Sequence, residues 1–379
     1  MTSDKKIQED PKVSGLDDIA FAETYLSHVD GEQGRLVIRG YDVEELGGQA
    51  DFETVCHLLW KGVLPDGAAW ASLRRRLGSE RCQIFPLIAA VKNPAANGMA
   101  YLRQVLAGLE ANEQETPGET ERLVAATSVA AAAWNRLRQG LPLVPPREDA
   151  GHAEDYLHMA LGRDPEPRLV AALDAYLVTV ADHGMNASTF ASRVVASTGS
   201  DLVSAVTSGI CALKGPLHGG APGPVLDMLE AVAHPENART WLETELTAGR
   251  RIMGMGHRIY RVRDPRAAVL ERAIMELEAA GSASRRLTLA RAVEKAATAL
   301  LAERYPGRPL KANVEFYTAV LLDTIGLPAA LFSPTFAVAR VAGWCAHVGE
   351  QRRFGRLVRP QSTYIGPFGL HFKKTGGAL

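Results

Sequence analysis

Apolar residues recur at the three- and four-residue spacing of amphipathic helices along nearly the whole chain. The run from Phe52 to Trp60 has this spacing, and so does the stretch from Arg168 to Asp182. Two later stretches, 316–325 and 335–348, are apolar on every side and read as central packing helices; the first is stopped by Gly326-Leu327-Pro328. Between residue 222 and Pro309 the helices are more charged, as in 267–278 and 290–301, which fits solvated outer faces. Alternation is rare. The segment from Arg35 to Asp42 is one of few β-like runs. The pattern therefore predicts an almost entirely α-helical protein.

Three interruptions organise the chain. Residues 141–151 carry three prolines and a charged run, and read as a surface connection. Small polar residues break the apolar period at His183-Gly184-Met185-Asn186-Ala187-Ser188-Thr189-Phe190. Residues 214–222 are too rich in Gly and Pro for a helix interior, so Gly215, Gly219 and Gly220 are hinge candidates. No internal repeat or low-complexity tract stands out.

At 379 residues the length suggests two domains, and 46% hydrophobic with 22% charged residues is a globular composition. A net charge of -1 and a pI of about 6.8 argue against nucleic acid or a membrane surface as partner, because both need a sustained basic field. The start, Met1 to Pro11, lacks the basic-then-apolar order of a secretory signal, and no apolar run approaches a membrane span of about 20 residues. The expected location is the cytoplasm. Cys56, Cys82, Cys211 and Cys345 lie far apart without a Cys-x-x-Cys pair, so free thiols in or near the core are expected, not a disulfide framework or a zinc cage.

The chemistry concentrates elsewhere. Residues 254–266 set His257 behind Gly254 and Gly256 and beside Arg258, Arg261, Arg263 and Arg266. Glycines let backbone N–H groups approach a ligand and arginine forks grip carboxylates or phosphates, so this reads as an anion site. His218 and Glu315 also join reactive side chains to irregular or helix-terminal backbone. Taken singly, His218 fits a polar turn residue, His257 a hydrogen-bonded loop histidine, and Glu315 a first-turn acid favoured by the helix dipole. Together, two histidines and a carboxylate without metal-ligand spacing fit general acid–base work better than a metal site. Arg266, Arg340 and Arg359 imply a substrate with more than one negative charge. Arg340 is unusual because its neighbours are apolar, and a buried guanidinium must be paired.

Several motifs, in this order, resemble the citrate synthase family: residues 30–42, Asp182 to Phe190, Pro216-Leu217-His218, 254–266, Asn313-Val314-Glu315-Phe316-Tyr317 and Arg356-Leu357-Val358-Arg359-Pro360. They span nearly the whole chain. The compact length is similar to the bacterial and archaeal dimeric branch, which includes paralogues acting on propionyl-CoA. The resemblance implies an all-α fold with a large helical domain (1–214 and 321–379) and a small helical domain (215–320) flanking a cleft.

It further implies a Si-type reaction of acetyl-CoA with oxaloacetate, with coenzyme A thioester as substrate and no tightly bound cofactor or metal. His218 would hold the thioester carbonyl, His257 would polarise the keto oxygen and Glu315 would take the methyl proton. His183, Arg266 and Arg340 would bind oxaloacetate, and Arg359 would reach the partner's site in a homodimer. Arg261 would meet the CoA phosphates, the backbone of Ile252, Gly254, Met255 and Gly256 the adenine, and Asn313 the pantetheine. One position departs: the family base is normally aspartate, and Glu315 adds a methylene to its reach. Two alternatives follow, a 2-methylcitrate synthase using propionyl-CoA and a non-catalytic acyl-CoA or dicarboxylate sensor.

Overall fold

The computed structural model describes residues 15, 19–91, 94–112, 116–218, 222–279 and 286–370. Near its N-terminus a small antiparallel sheet joins β1 (Ser27–Asp30), β2 (Arg35–Ile38) and β3 (Tyr41–Asp42), with Ser27 opposite Ile38 and Ile38 opposite Tyr41. The β-like run thus splits at Arg39 and Gly40, both at positive φ (50° and 93°) as a two-residue hairpin requires. It also recruits Ser27–Asp30 as a third strand, which alternation did not single out.

Among the described residues the other regular elements are two short 3-10 turns and the α-helices α1 (Val43–Leu46), α2 (Phe52–Lys61), α3 (Gly67–Ala89), α4 (Gly98–Leu106), α5 (Glu119–Leu137), α6 (His152–Leu161), α7 (Pro167–Val180), α8 (Ala187–Ser197), α9 (Leu202–Leu213), α10 (Pro222–Val232), α11 (Ala238–Thr247), α12 (Pro265–Ala279), α13 (Arg286–Arg304), α14 (Val314–Ile325) and α15 (Phe332–Phe354). Local chemistry sets the ends. Asp51, Asp66, Asn186, Asp201 and Asn313 cap α2, α3, α8, α9 and α14 with side-chain oxygens on backbone N–H groups. Pro167 opens α7, and Gly326 closes α14 in the left-handed conformation.

α15 is the central post, packed against α2, α5, α7, α8 and α9. α5, which packs against it, buries Ala125, Ala126 and Ala130 to Ala133, side chains small enough for close helix approach. Helices α10 to α14 gather on one side, and two of them, α12 and α14, also lie against α7. The seam therefore runs along α7, whose C-terminal end leads straight into Asp182 and His183. α15 with its preceding turn, Ala329–Phe354, is long and apolar enough by composition to cross a membrane, against the expectation of no such run; 83% of its apolar window is buried inside the protein, which makes it a core helix. Cys56 and Cys345 are buried and Cys82 is partly so, but Cys211 is exposed, because its side of α9 faces away from the core. Of the hinge candidates, Gly219 and Gly220 lie outside the described residues.

Candidate active site

Six irregular or helix-terminal segments and the middle of one long helix meet at the seam. The turn after α7 supplies Asp182 and His183, and the start of α8 supplies Asn186 and Ser188. The turn after α9 supplies His218, and the loop from Arg250 to Asp264 supplies His257 and Tyr260. The starts of α12 and α14 bring Arg266 and Glu315, and α15 contributes Arg340 from its middle. The rings of His183, His257 and Tyr260 pack together with centroids 4.7–5.7 Å apart, His183 edge-on to the other two and His257 tilted against Tyr260. His183 Nε2 lies 3.1 Å from the Tyr260 hydroxyl.

Hydrogen bonds assign the histidine protons. The Ile259 and Tyr260 backbone N–H groups both donate to His257 Nδ1, at 3.0 and 3.1 Å. Nδ1 is therefore an acceptor and the ring proton sits on Nε2, free to donate. At His218 the Ser188 N–H donates to Nε2 at 3.3 Å, with the Ser188 hydroxyl 2.8 Å away, which leaves the proton on Nδ1. Ser188 is itself held: its hydroxyl accepts from Trp344 Nε1 at 3.1 Å, and its single proton is shared between His218 Nε2 and Asn186 Oδ1, which lie 2.8 and 2.7 Å away. Burial keeps both histidines neutral, with pKa values pulled down to about 4, His257 helped by Arg266 and His218 by Arg340. His183 is pulled well below its usual range, first by burial and then by Arg266, Arg340 and the other two histidines.

Glu315 shows the opposite trend. Burial raises its pKa to about 7 against the lowering pull of Arg266, with Asp264 reinforcing the rise. Its Oε2 is buried without a hydrogen-bond partner, and so is Thr318 Oγ1, one turn further along α14. Asn313 sets the carboxylate's place. Its Oδ1 accepts from the Glu315 N–H at 3.0 Å and its Nδ2 donates to the Gly256 carbonyl at 2.8 Å. The helix bearing Glu315 and the loop bearing His257 are thus fastened by one amide.

The arginines differ from one another. Arg266 grips Asp264 through Nε at 3.0 Å and Nη2 at 2.7 Å, and Asp264 also accepts from the Val314 N–H at 3.1 Å. Burial, the largest single influence, would lower the Arg266 pKa, but the charge and hydrogen bond of Asp264 together with Tyr260 and Glu315 more than offset it and the net shift is upward. Arg340 donates Nε–H to the Val180 carbonyl at 2.7 Å and lies over the Phe336 ring, while its buried Nη2 has no partner. Burial brings its pKa down to about 10, opposed by Asp182. A guanidinium nitrogen and a carboxylate oxygen, both buried and unpaired, lie within electrostatic reach of each other and of two neutral imidazole donors. This arrangement can hold a small polyanion, stabilise developing negative charge at two oxygens and accept a proton.

The remaining sequence candidates sit further out. Arg359 is exposed in the extended segment after α15. Arg261 is exposed, with Glu32 at 3.9 Å. Ile252 is buried, while Met255 pairs with Ala312 in an antiparallel bridge. Gly254 and Gly256 spend their polar groups internally, since the Gly254 carbonyl accepts from the Asn313 N–H and the Gly256 N–H donates to the Lys311 carbonyl. Gly254 has φ +73° and no room for a Cβ beside Phe316 and Val225. Sequence reasoning assigned no role to Ser188, Tyr260 or Asp264, although all three stand inside the motifs quoted above. Their partners, among them Trp344, come from distant segments.

Comparison with known proteins decides the family. The model described as citrate synthase, C-terminal domain, matches residues 15–361. The chain belongs to the citrate synthase family. It is 36% identical to the citrate synthase of Haloferax volcanii, covering 94% of this chain and 97% of that protein. It is also 36% identical to a 2-methylcitrate synthase of Mycobacterium tuberculosis, covering 95% and 92%. Among solved structures, citrate synthase from Pyrobaculum aerophilum superposes with a TM-score of 0.84 at 33% identity, over 95% of this chain and 94% of that one. The ternary complex of Thermoplasma acidophilum citrate synthase with carboxymethyl coenzyme A and oxaloacetate gives 0.84 at 25% identity, over 95% and 98%. The protein is accordingly an enzyme of the citrate synthase type, an acyltransferase with the all-α fold. The sensor reading is set aside.

Proposed function

We propose that the enzyme condenses acetyl-CoA with oxaloacetate and hydrolyses the resulting thioester to citrate and coenzyme A. One observation carries this: two neutral imidazoles with free N–H donors, an unpaired high-pKa carboxylate and an unpaired guanidinium meet in one cleft. A carboxylate is a weak base toward a thioester methyl, so removal of that proton needs hydrogen bonding where charge develops. Glu315 takes the proton, and His218 Nδ1–H stabilises the enolate oxygen. The enolate carbon attacks the oxaloacetate carbonyl, whose oxygen His257 Nε2–H polarises. His183, Arg266 and Arg340 hold the oxaloacetate carboxylates, and the free Nη2 of Arg340 supports that role. Water then cleaves the thioester, with a proton passing to the coenzyme A sulfur. Arg261, the 252–256 backbone and Asn313 border the side from which the CoA chain enters.

The second reading, propionyl-CoA as donor, is favoured by the similarity to a 2-methylcitrate synthase. One methylene in a pocket is worth only about 1–3 kcal/mol, so the two donors can share a site. Steady-state kcat/KM with both thioesters tests the assignment: acetyl-CoA should exceed propionyl-CoA, and the reverse order makes the enzyme a 2-methylcitrate synthase.

A homodimer completes the reading. The segment beyond α15 exposes Leu357, Tyr364, Ile365, Phe368 and Leu370 alongside Arg359. An apolar arm of this length suits a second copy of the chain, and Arg359 on it would supply charge to the partner's cleft.

A further inference from the structure

α15 is apolar on nearly every side, yet it carries one buried polar stripe at helical spacing: Arg340, Trp344, His347 and Gln351. Its members reach α7, α8 and the turn between them. Arg340 holds the end of α7 at Val180, and Trp344 holds Ser188 and through it His218. His347 and Gln351 reach Asp182 and Arg193, neither of which has a part in the chemistry above.

Arg193 on α8 donates Nε–H to His347 Nδ1 at 3.0 Å. A guanidinium can only donate, so Nδ1 is the acceptor and the single ring proton lies on Nε2, 3.0 Å from Asp182 Oδ1. Arg193 spends its other nitrogens on Gln351 Oε1 at 3.1 Å and on the Glu350 carboxylate. Glu350 Oε1 accepts the Tyr25 N–H at 2.9 Å. Just beyond Tyr25, the Ser27 hydroxyl donates to Asp182 Oδ2, and the Gly184 N–H donates to Ser27 Oγ at 3.0 Å and to Asp182 Oδ2 at 3.2 Å. A closed circuit results, from Asp182 through His347, Arg193, Glu350 and the entry to β1, back to Asp182. Behind it, Gly343 has no room for a Cβ, which would lie 2.4 Å from the Ala181 carbonyl oxygen and 2.8 Å from Asp182 Oδ1.

Burying these groups is costly, and an apolar replacement of equal volume is often as stable. What the circuit provides is direction. It fixes both Asp182 oxygens and the Gly184 N–H, and His183 is the residue between them. We propose that His347 and Arg193 are positioning residues that lock the 182–184 turn and so aim His183 at the oxo-acid substrate. This rests on the reading of His183 as an oxaloacetate ligand. His347 acts as a neutral Nε2–H donor, its tautomer set by Arg193.

The test compares oxaloacetate with the thioester. In His347→Ala, KM and the calorimetric Kd for oxaloacetate should rise about tenfold, since a displacement well under 1 Å suffices, while acyl-CoA KM moves less than about twofold. His347→Gln keeps an N–H for Asp182 and should recover most of the loss. Parallel shifts in both KM values, or a lower Tm with unchanged oxaloacetate affinity, would mean ordinary core packing and overturn the proposal. His183→Ala separates the two claims: if it leaves oxaloacetate affinity intact, the ligand assignment has failed and the positioning role falls with it. If His183→Ala weakens binding but His347→Ala does not, only the positioning role fails. Should His347→Ala not fold, ¹⁵N NMR of the native enzyme decides, because His347 must show a protonated Nε2 and a bare Nδ1; the opposite tautomer or an imidazolium overturns the circuit.

Discussion

At the scale of single residues the cleft is defined by protonation states. With His218 and His257 titrating near pH 4 and Glu315 near pH 7, activity on the acid side should follow Glu315 alone, so kcat/KM rises through about pH 7 and flattens above it. Glu315→Gln should remove that limb together with nearly all condensation while leaving oxaloacetate binding intact. The same raised pKa has a stability cost. Its folded value lies above the unfolded one, so the folded protein binds more protons between pH 4.5 and about 7, and stability falls as pH rises through that window. Above pH 7 the ligand-free enzyme carries a penalty of up to about 3 kcal/mol that Glu315→Gln does not. The inactive variant should therefore melt higher than wild type at pH 8 and equally at pH 4, and an equal melting difference at both pH values would rule out Glu315 as the cause. Glu315→Asp restores the usual family residue but should slow turnover, since Asn313 and Gly256 already fix the backbone for the longer side chain. Arg340→Lys keeps charge but loses the fork, and oxaloacetate affinity by calorimetry should fall even at low salt.

At the scale of elements, the N-termini of short helices carry the site and their fastenings set its geometry. Asn313→Ala removes the α14 cap and the bond to the Gly256 carbonyl together. A cap alone is worth about 1 kcal/mol, and turnover should fall by on the order of tenfold because the base and the His257 loop lose the side-chain amide that joins them while the backbone bonds at Gly254 and Gly256 remain. The β1–β2 turn offers a second handle. The Gly31 carbonyl accepts the Arg261 N–H at 2.8 Å, and a Cβ on Gly31 would lie 2.4 Å from the Ile259 carbonyl oxygen. Gly31→Ala should push the His257 loop aside, lowering both Tm and kcat. Gly67→Ala, in open space at the start of α3, should leave activity unchanged and raise Tm slightly.

At the scale of the whole molecule the proposed dimer makes a combination test possible. If Arg359 serves the partner's cleft, each site draws Glu315 from one chain and Arg359 from the other. Mixing equal amounts of two impaired variants, Glu315→Gln and Arg359→Ala, should then create one fully native site per mixed dimer and, with about half of the dimers mixed, restore activity toward about a quarter of wild type. If Arg359 served its own cleft, mixed dimers would gain nothing. Size-exclusion chromatography should show the dimer intact in Arg359→Ala, since one exposed arginine contributes little to association beside the apolar arm.

Periodicity alone determined the helical class and the centrality of α14 and α15, because burial of one or all faces imprints its spacing directly on the sequence. Motif residues pointed to the proposed reactive set, since His183, His218, His257, Asn313, Glu315 and Arg266 each stand in a short local context. The sequence missed the strand at Ser27–Asp30, whose four residues carry only one apolar side chain, Val29, and so show no alternation, and it put Cys211 in or near the core although it lies exposed on α9. Only the tertiary structure decided which proton each histidine carries, because that depends on donors such as Ser188, Ile259 and Arg193 brought close by packing. It alone separated Arg266, already paired with Asp264, from Arg340, whose Nη2 is unpaired. It alone raised Glu315 to a working pKa, through a burial that no local pattern around residue 315 records.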